Sequence, residues 1–478
     1  VSGRTLTLAD VVEGLTAYRP RALEQPISTT VVDSRRVRPG ALFVAFKGEH
    51  ADGHDYVSDA LSRGAVAAVV ERDVETGDVT LDLTDPDIES RIRTLEAQIP
   101  LVIKTADTLQ ALQRAAAFWR RQHSVRVIGI TGSVGKTTTK ELSAAVLARR
   151  YVTLKSEASY NNEIGLPLTL MHLTHKHERV VLEMGMYDVG EIADLARIAQ
   201  PHVGVVTIIG PVHLERAGTI ERIVRAKTEL IEALPPAPEG VAILNCDDEL
   251  VCGMAEDTRA RVFYYGLSPG ADLWADNIEG LGLEGIRFQL HYGDETLHVK
   301  IPLLGRHSVH TALRAAAVGL VEGLTWQEII EGLRGPSAQL RLVAVPGPKG
   351  AIILDDTYNA SPASTIAALN LLEELDGRKI AVLGDMLELG NYEQEGHEKV
   401  GMRALDVADV IIAVGRRGRI IGETALRWGM PANRVHIVEE NAAVITLLEH
   451  MVTSDDVILV KGSRQMRMEE IVNALGRE

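Results

Sequence analysis

The chain has 478 residues, more than one hydrophobic core usually organises, so two or three domains are expected. Its hydrophobic fraction of 46% and charged fraction of 24% suit a globular enzyme, while a net charge of −16 argues against a duplex nucleic-acid binder, which needs a basic face. Two cysteines, Cys246 and Cys252, make neither a disulfide framework nor a zinc cluster. A reducing, cytoplasmic location is expected, because the opening VSGRTLTLADVVEG lacks a leader's basic-then-apolar pattern and no run of eighteen apolar residues could span a membrane.

In chain order, residues 1–105 hold short strand-like runs, TTVVD, ALFVAFKG and AVAAVVE, separated by turns. They end in an acidic stretch, 71–99, which reads as a solvated insertion with one short helix and no assigned role. From 106 to 338, apolar strands (VRVIGI, RVVLEMG, HVGVVTIIG, GVAILN) alternate with helical patterns, which predicts a mostly parallel sheet with crossover helices. IRFQLHYGDETLHVKIPLL alternates with period two around Gly293-Asp294, a hairpin beside the main sheet. The Gly- and Pro-rich segment 335–350 marks a boundary, and AIILDD, KIAVLGD, DVIIAVG, RVHIVEE and DVILVKG follow as a second open sheet. The expected class is α/β in three domains: a small α/β N-terminal domain (1–105), a central P-loop-type domain (106–338) and a Rossmann-like C-terminal domain (339–478).

The strand VRVIGI feeds TGSVGKTTT (131–139) and then the helical pattern TTTKELSAAVLARR, the context of a phosphate-binding loop. Gly132 and Gly135 let successive N–H groups point inward, and the following helix presents its positive end. Lys136 can reach β- and γ-phosphates, and the Thr137 hydroxyl can ligate Mg²⁺. The first position of the usual G-x-x-x-x-G-K-S/T pattern is Ile130, with Gly129 one residue earlier, so the match rests on Gly-Lys-Thr and its context. Glu183 ends the strand RVVLEMG, where a carboxylate faces the crevice of a parallel sheet; a buried, salt-bridged glutamate is the other reading. His213, after the next strand, lies at the same edge and is either a ligand to a second metal or an ordinary loop histidine. A guanine-reading Asn-Lys-x-Asp stretch is missing, which excludes a typical GTPase.

TGSVGKTTT, NNEIGLP (161–167), LEMGM (182–186), HLERAGT (213–219) and AKTEL (226–230) together resemble the Mur ligases, ATP-dependent amide-forming enzymes of peptidoglycan synthesis. The resemblance implies that Thr131, Gly132, Ser133, Val134, Gly135, Lys136, Thr137 and Thr138 hold the phosphates of ATP. It implies two Mg²⁺ ions on Thr137, Glu183 and His213, and a carbamylated Lys227 that orders the metal; read from its helix alone, Lys227 is a surface lysine. LDDTYNASPAS (354–364), AVLGDMLELG (381–390) and VKGSRQMRMEEIV (460–472) are similar to the family member whose substrates are UDP-N-acetylmuramoyl-tripeptide and D-alanyl-D-alanine. The member that adds diaminopimelate or lysine carries a Gly-Gly-Asp-Arg-Asp type stretch where this chain has Gly384-Asp385-Met386-Leu387.

By the same resemblance, VVDSRRVRPGALFVAFKGEHADGHDYV (31–57) binds the uridine nucleotide through Ser34, Arg35, Lys47 and Gly48, groups that suit a pyrophosphate, joined by Asn161 and Asn162. ATP is further contacted by His307, Ser308, Thr311, Arg341 and one of Asp355 and Asp356, and the dipeptide by Tyr358 and Asn359. The chain departs from the family in GRHSVHT (305–311): Ser308 and Thr311 occupy two asparagine positions, and neither hydroxyl reproduces a bidentate amide contact. Ser159 likewise stands where an asparagine is expected. A monomer is expected.

Overall fold

The computed structural model describes residues 5–48, 51–96, 98–158, 160–211, 214–335 and 342–476, and their strands gather in three sheets. The first is wholly parallel: β1 (Thr30–Val31), β2 (Leu42–Val44), β3 (Ala67–Val70), β4 (Val79–Asp82) and β5 (Leu101–Lys104), in the order β1-β2-β3-β5-β4. Strands β2 and β3 are apolar and buried at every residue, as a sheet covered on both faces demands.

One expectation holds only in part. The acidic stretch 71–99 is largely exposed and carries the expected short helix, Ile88–Thr94, but it is more than a solvated insertion, because β4 extends the sheet edge beside β5, and Leu81 and Ile92 are buried in the core. Its acidic composition hides a strand with a single inward side chain; the Lys104 ammonium neutralises Asp73 and Asp82 on the outside.

The second sheet contains β6 (Arg126–Thr131), β7 (Thr153–Lys155), β8 (Arg179–Glu183), β9 (Val203–Val206), β10 (Val241–Asn245), β11 (Arg261–Gly266), β12 (Leu273–Gly280), β13 (Ile286–Tyr292) and β14 (Glu295–Ile301). Its order is β14-β13-β12-β11-β10-β9-β6-β8-β7. From β6 the chain fills one side with β7 and β8, then crosses to the other with β9 and β10. That reversal opens a crevice at the C-terminal end of β6. The predicted hairpin is present: Gly293-Asp294 joins β13 to β14, and β12 ties the pair to the parallel strands. The helix Val309–Val321 lies against the helix Lys136–Leu147, an approach that Ala312, Ala315, Ala316 and Gly319 make close.

The third sheet holds β15 (Val343–Pro346), β16 (Ile352–Asp356), β17 (Arg378–Leu383), β18 (Val410–Val414), β19 (Val435–Val438) and β20 (Asp456–Lys461), ordered β15-β16-β20-β17-β18-β19. Every pairing except β15 with β16 is parallel. The α/β reading in three layered units therefore stands.

The units share side chains at their junctions. The helix Thr108–Arg121 packs on Leu8–Thr16 and on Gly165–Leu170, so its buried Trp119 belongs to a core common to the first two sheets. Leu304, after β14, inserts into the core of the third. Among the described residues no helix is long and apolar enough to cross a membrane.

Candidate active site

The loop after β6 is held in shape by the segment that follows β9. Gly132 has φ +139°, and a Cβ there would sit 1.9 Å from Thr207 Oγ1. That hydroxyl donates to the Val134 carbonyl at 2.7 Å. The Ser133 N–H donates to the Ile208 carbonyl (2.7 Å), while Ser133 Oγ donates to the Gly210 carbonyl and accepts from its N–H, both at 3.0 Å. Gly135, at φ +87°, caps the helix Lys136–Leu147. Lys136 Nζ reaches back across the loop to the Gly132 carbonyl (2.9 Å). Thr131 ends β6 fully buried, and its hydroxyl finds no partner among the described residues.

Glu183 closes β8, only 1% exposed. One carboxylate oxygen accepts from Thr137 Oγ1 at 2.7 Å and the other from Asn161 Nδ2 at 2.9 Å. Among the described residues its partners are therefore neutral donors, with no salt bridge of the kind that sequence left open. Lys227 corrects a second expectation. It is 1% exposed, not a surface lysine, because the helix Ile220–Glu232 turns this residue toward the loop. Burial, and then the Lys136 charge, hold its amine well below the ordinary lysine range. His213 lies outside the described residues. Among the described residues there is no cluster of three or more His, Cys, Asp and Glu side chains of metal-binding type.

These groups border a cavity of about 1490 Å³ between the second and third sheets. From the loop come Ser133, Val134, Gly135, Lys136 and Thr138; from the strand ends and neighbouring segments Asn161, Asn162, Glu183 and Lys227. The start of the helix Val309–Val321 adds His307, Ser308 and Thr311, and the third unit adds Asp356, Tyr358 and Asn359. Successive strand residues face opposite ways, which separates the two aspartates at the end of β16. Asp356 faces the cavity and accepts from Lys461 Nζ at 2.6 Å, whereas Asp355 closes a turn on Thr357 N (3.1 Å) and Oγ1 (2.7 Å).

Other expected residues are not gathered there. Ser34, Arg35, Lys47 and Gly48 lie with the first sheet, outside this cavity. Arg35 is 84% exposed at its side chain and is engaged by Asp33. Arg341 falls outside the described residues, as does Ser159. At the two departures from family pattern, Ser308 Oγ donates to the Leu304 carbonyl (2.7 Å), and Thr311 Oγ1 accepts from Arg314 Nη2 (2.8 Å). The His307 ring is open to cavity water yet walled by protein; that enclosure, with His310, Lys461 and Arg314 nearby, favours its neutral form.

Among the cavity residues that escaped the sequence reading are Asn245 at the end of β10, Lys461 at the end of β20 and Arg314. Lys461 shared its signal with Glu183, a charge ending an apolar strand. Arg314 is the only Arg, Lys, Asp or Glu in its helix, a signal that was there to be used.

Comparison with known proteins agrees along the whole chain. The Mur ligase middle-domain model matches residues 130–319, the glutamate ligase domain of Mur ligases 340–464, and the Mur ligase catalytic-domain model 26–120. The UDP-N-acetylmuramoyl-tripeptide–D-alanyl-D-alanine ligase of Bacillus subtilis (strain 168) is 35% identical, over 98% of this chain and 97% of that one. The enzyme of that name from Escherichia coli (strain K12) is 35% identical over 94% of each. Among solved structures, MurF from Acinetobacter baumannii superposes with a TM-score of 0.83 at 30% identity, covering 100% of both chains. MurF ligase from Thermotoga maritima, in complex with ADP, gives 0.75 at 28% identity, covering 94% of this chain and 97% of that one. With three successive family models and full-length relatives in agreement, the chain belongs to the Mur ligase family.

Proposed function

We propose that this chain joins D-alanyl-D-alanine to UDP-N-acetylmuramoyl-tripeptide in the cytoplasm, converting ATP to ADP and phosphate. The observation that carries this reading is the loop 131–138, with Lys136 and Glu183, opening into one cavity bordered by both the second and third units. Its volume of about 1490 Å³ exceeds the range of roughly 300–1,000 Å³ typical for a single small ligand, as a site where substrates meet requires. Residues 1–105 take the UDP end, 106–338 the ATP, and 339–478 close over ATP and the amine.

The reaction brings two anions together, a γ-phosphate and the peptide carboxylate. Lys136 and the loop N–H groups offset that repulsion and stabilise charge on the transferring phosphoryl group. Asp356 takes the ribose, and Ser308 and Thr311 the base. Tyr358 and Asn359 hold the dipeptide, whose amine attacks the resulting acyl phosphate and expels phosphate. Enclosure between the units keeps water from that intermediate.

Thr137 and Glu183 fit a hard divalent cation: two oxygen donors 2.7 Å apart, the carboxylate buried on uncharged partners. Mg²⁺ there would neutralise phosphate charge. The depressed Lys227 favours the neutral amine, the form that adds CO₂ to give a carbamate and a proton.

The testing experiment is phosphate release from Mg²⁺-ATP with UDP-N-acetylmuramoyl-tripeptide, with and without D-alanyl-D-alanine. Release that needs both, with one amide per phosphate, is expected. Turnover only with another amine would keep the chemistry and overturn the substrate.

A further inference from the structure

Arg314 is 5% exposed, and among the described residues its guanidinium donates only to hydroxyls: Nε to Thr139 Oγ1 (2.8 Å), Nη1 to Tyr265 Oη (3.3 Å) and Nη2 to Thr311 Oγ1 (2.8 Å), with the centre of the Tyr265 ring 5.9 Å from its Cζ. A guanidinium has five N–H groups, so two remain beyond these three bonds. Among the described residues no carboxylate pairs with it. Other enclosed cations are compensated. Arg120, equally buried, is covered by four backbone carbonyls, of His123, Val125, Ala199 and Gln200, and Lys140, fully buried, is paired with Glu141. A buried charge with neither compensation is costly unless an anion completes it.

The position says which anion. Arg314 borders the cavity, and its Nη2 lies 3.0 Å from where a Cβ on Gly135 would be, at the last turn of the phosphate loop. The same Nη2 donates to Thr311, which borders the cavity with Ser308. The guanidinium thus approaches both Thr311 and the loop. Tyr265 Oη also donates to the Thr207 carbonyl (3.1 Å), in the segment that holds the loop, so the cation is wired to the loop's own scaffold.

We infer that Arg314 is a further nucleotide-binding residue, supplying a charge-assisted hydrogen bond to the phosphate nearest the nucleoside. The inference rests on the nucleotide reading of loop 131–138. It also gives a physical place to one of the two hydroxyl substitutions: Thr311 accepts from a permanent cation, so Thr311 and Arg314 together bind through charge where an amide would bind through shape, whereas the Ser308 hydroxyl is spent on the Leu304 carbonyl.

The test is equilibrium binding of ADP, AMP and adenosine to the whole enzyme and to Arg314→Gln, Arg314→Lys and Lys136→Ala. Arg314→Gln should weaken ADP and AMP by about tenfold or more and leave adenosine unchanged, since a hydrogen bond to a charged group is worth roughly 1.5–3 kcal/mol. Lys136→Ala should weaken ADP but not AMP. If adenosine weakens equally, Arg314 serves the fold or the base, and the inference is wrong. If only ADP weakens, the residue serves the outer phosphate, which also overturns it. Should Arg314→Gln not fold, Arg314→Lys decides: it keeps charge and loses the planar fork, so AMP affinity should fall by about threefold or more, and no change sinks the idea. Parent enzyme that binds none of the three nucleotides would defeat the reading of the loop itself, a distinct outcome.

Discussion

The charged residues beside the phosphate loop and those near Asp33–Asp59 in the first unit are built on opposite plans, although the far wall of the crevice keeps one buried ion pair, Lys461 with Asp356. In the crevice, Glu183, Lys227, Thr137 and Arg314 are all buried, and their partners are hydroxyls, amides or one another's fields. Around the first sheet, Arg35 holds Asp33, Arg63 holds Asp59 and Arg72 holds Asp55, each pair partly or largely in water. Exposed pairs of this kind contribute about 0–1 kcal/mol, so they can open to a ligand at little cost. Buried charges with neutral partners are instead fixed in advance, which suits transition-state stabilisation more than capture.

The comparison breaks first at Lys136. Lys136→Ala should lower turnover by about 10²-fold or more with the fold intact, because its ammonium offsets charge at the reacting phosphate. Phosphate release and far-UV circular dichroism, measured together, check this; turnover near the parent's would remove the crevice from the chemistry.

Gly132→Ala should come next, and here stability falls together with activity. The added Cβ would meet Thr207 Oγ1 at 1.9 Å, on a backbone at φ +139° that side chains rarely adopt. Thr207 is fully buried and its hydroxyl carries the bond to Val134, so it cannot turn away freely. Overpacking and backbone strain together cost about 2–4 kcal/mol. Denaturant unfolding checks the loss, and Gly132→Ala with Thr207→Ser should recover part of it by freeing the rotamer. No recovery would mean strain alone, not the contact, sets the cost.

How much of this was legible in the sequence follows from the same contrast. The loop was readable because strand, glycines, lysine and helix are local, and Glu183 because it ends a strand whose burial the sequence itself announces. Lys227 and Arg314 were not assigned from their surroundings, since what buries them is the packing of one helix on the loop and of another on Lys136–Leu147. Residues 71–99 misled in part for a related reason. Composition reports the average of a segment, whereas Leu81 needs one inward side chain and a neighbour, β5, to make an edge strand. Register also lay beyond reach: that Asp356, and not Asp355, borders the cavity follows from how β16 is set beside β20, where Asp356 pairs with Lys461.

In the first unit, Arg35→Ala should leave the melting temperature within about 1 °C, since the side chain is 84% exposed and spends itself on Asp33. If this region takes the UDP end, KM for the UDP-tripeptide should rise by up to about tenfold with kcat unchanged. Asp33→Asn sharpens the point, because it removes the competing carboxylate, which the Arg35 hydrogen bond holds below its ordinary range. That variant should keep or lower KM. A fall in kcat for either variant would erase the distinction between capture and chemistry.

The smallest effect has the opposite sign and belongs to the crevice. Burial and then the Lys136 charge hold the folded Lys227 amine well below its ordinary range, which the unfolded chain restores. The unfolded state then binds one more proton, so this residue's contribution to stability rises with pH between its folded value and 10.5. Lys227→Met, similar in volume and apolar, removes that penalty. It should raise the melting temperature at pH 7 by on the order of 1–2 °C, and the gain should shrink as pH climbs toward 10.5. Turnover should be lost over the same range, so the variant is more stable and inactive, the reverse of Arg35→Ala. A variant that melts lower at pH 7, or whose gain grows with pH, would mean that Lys227 is a charged partner holding the crevice together, and the crevice would then follow the plan of the first unit after all.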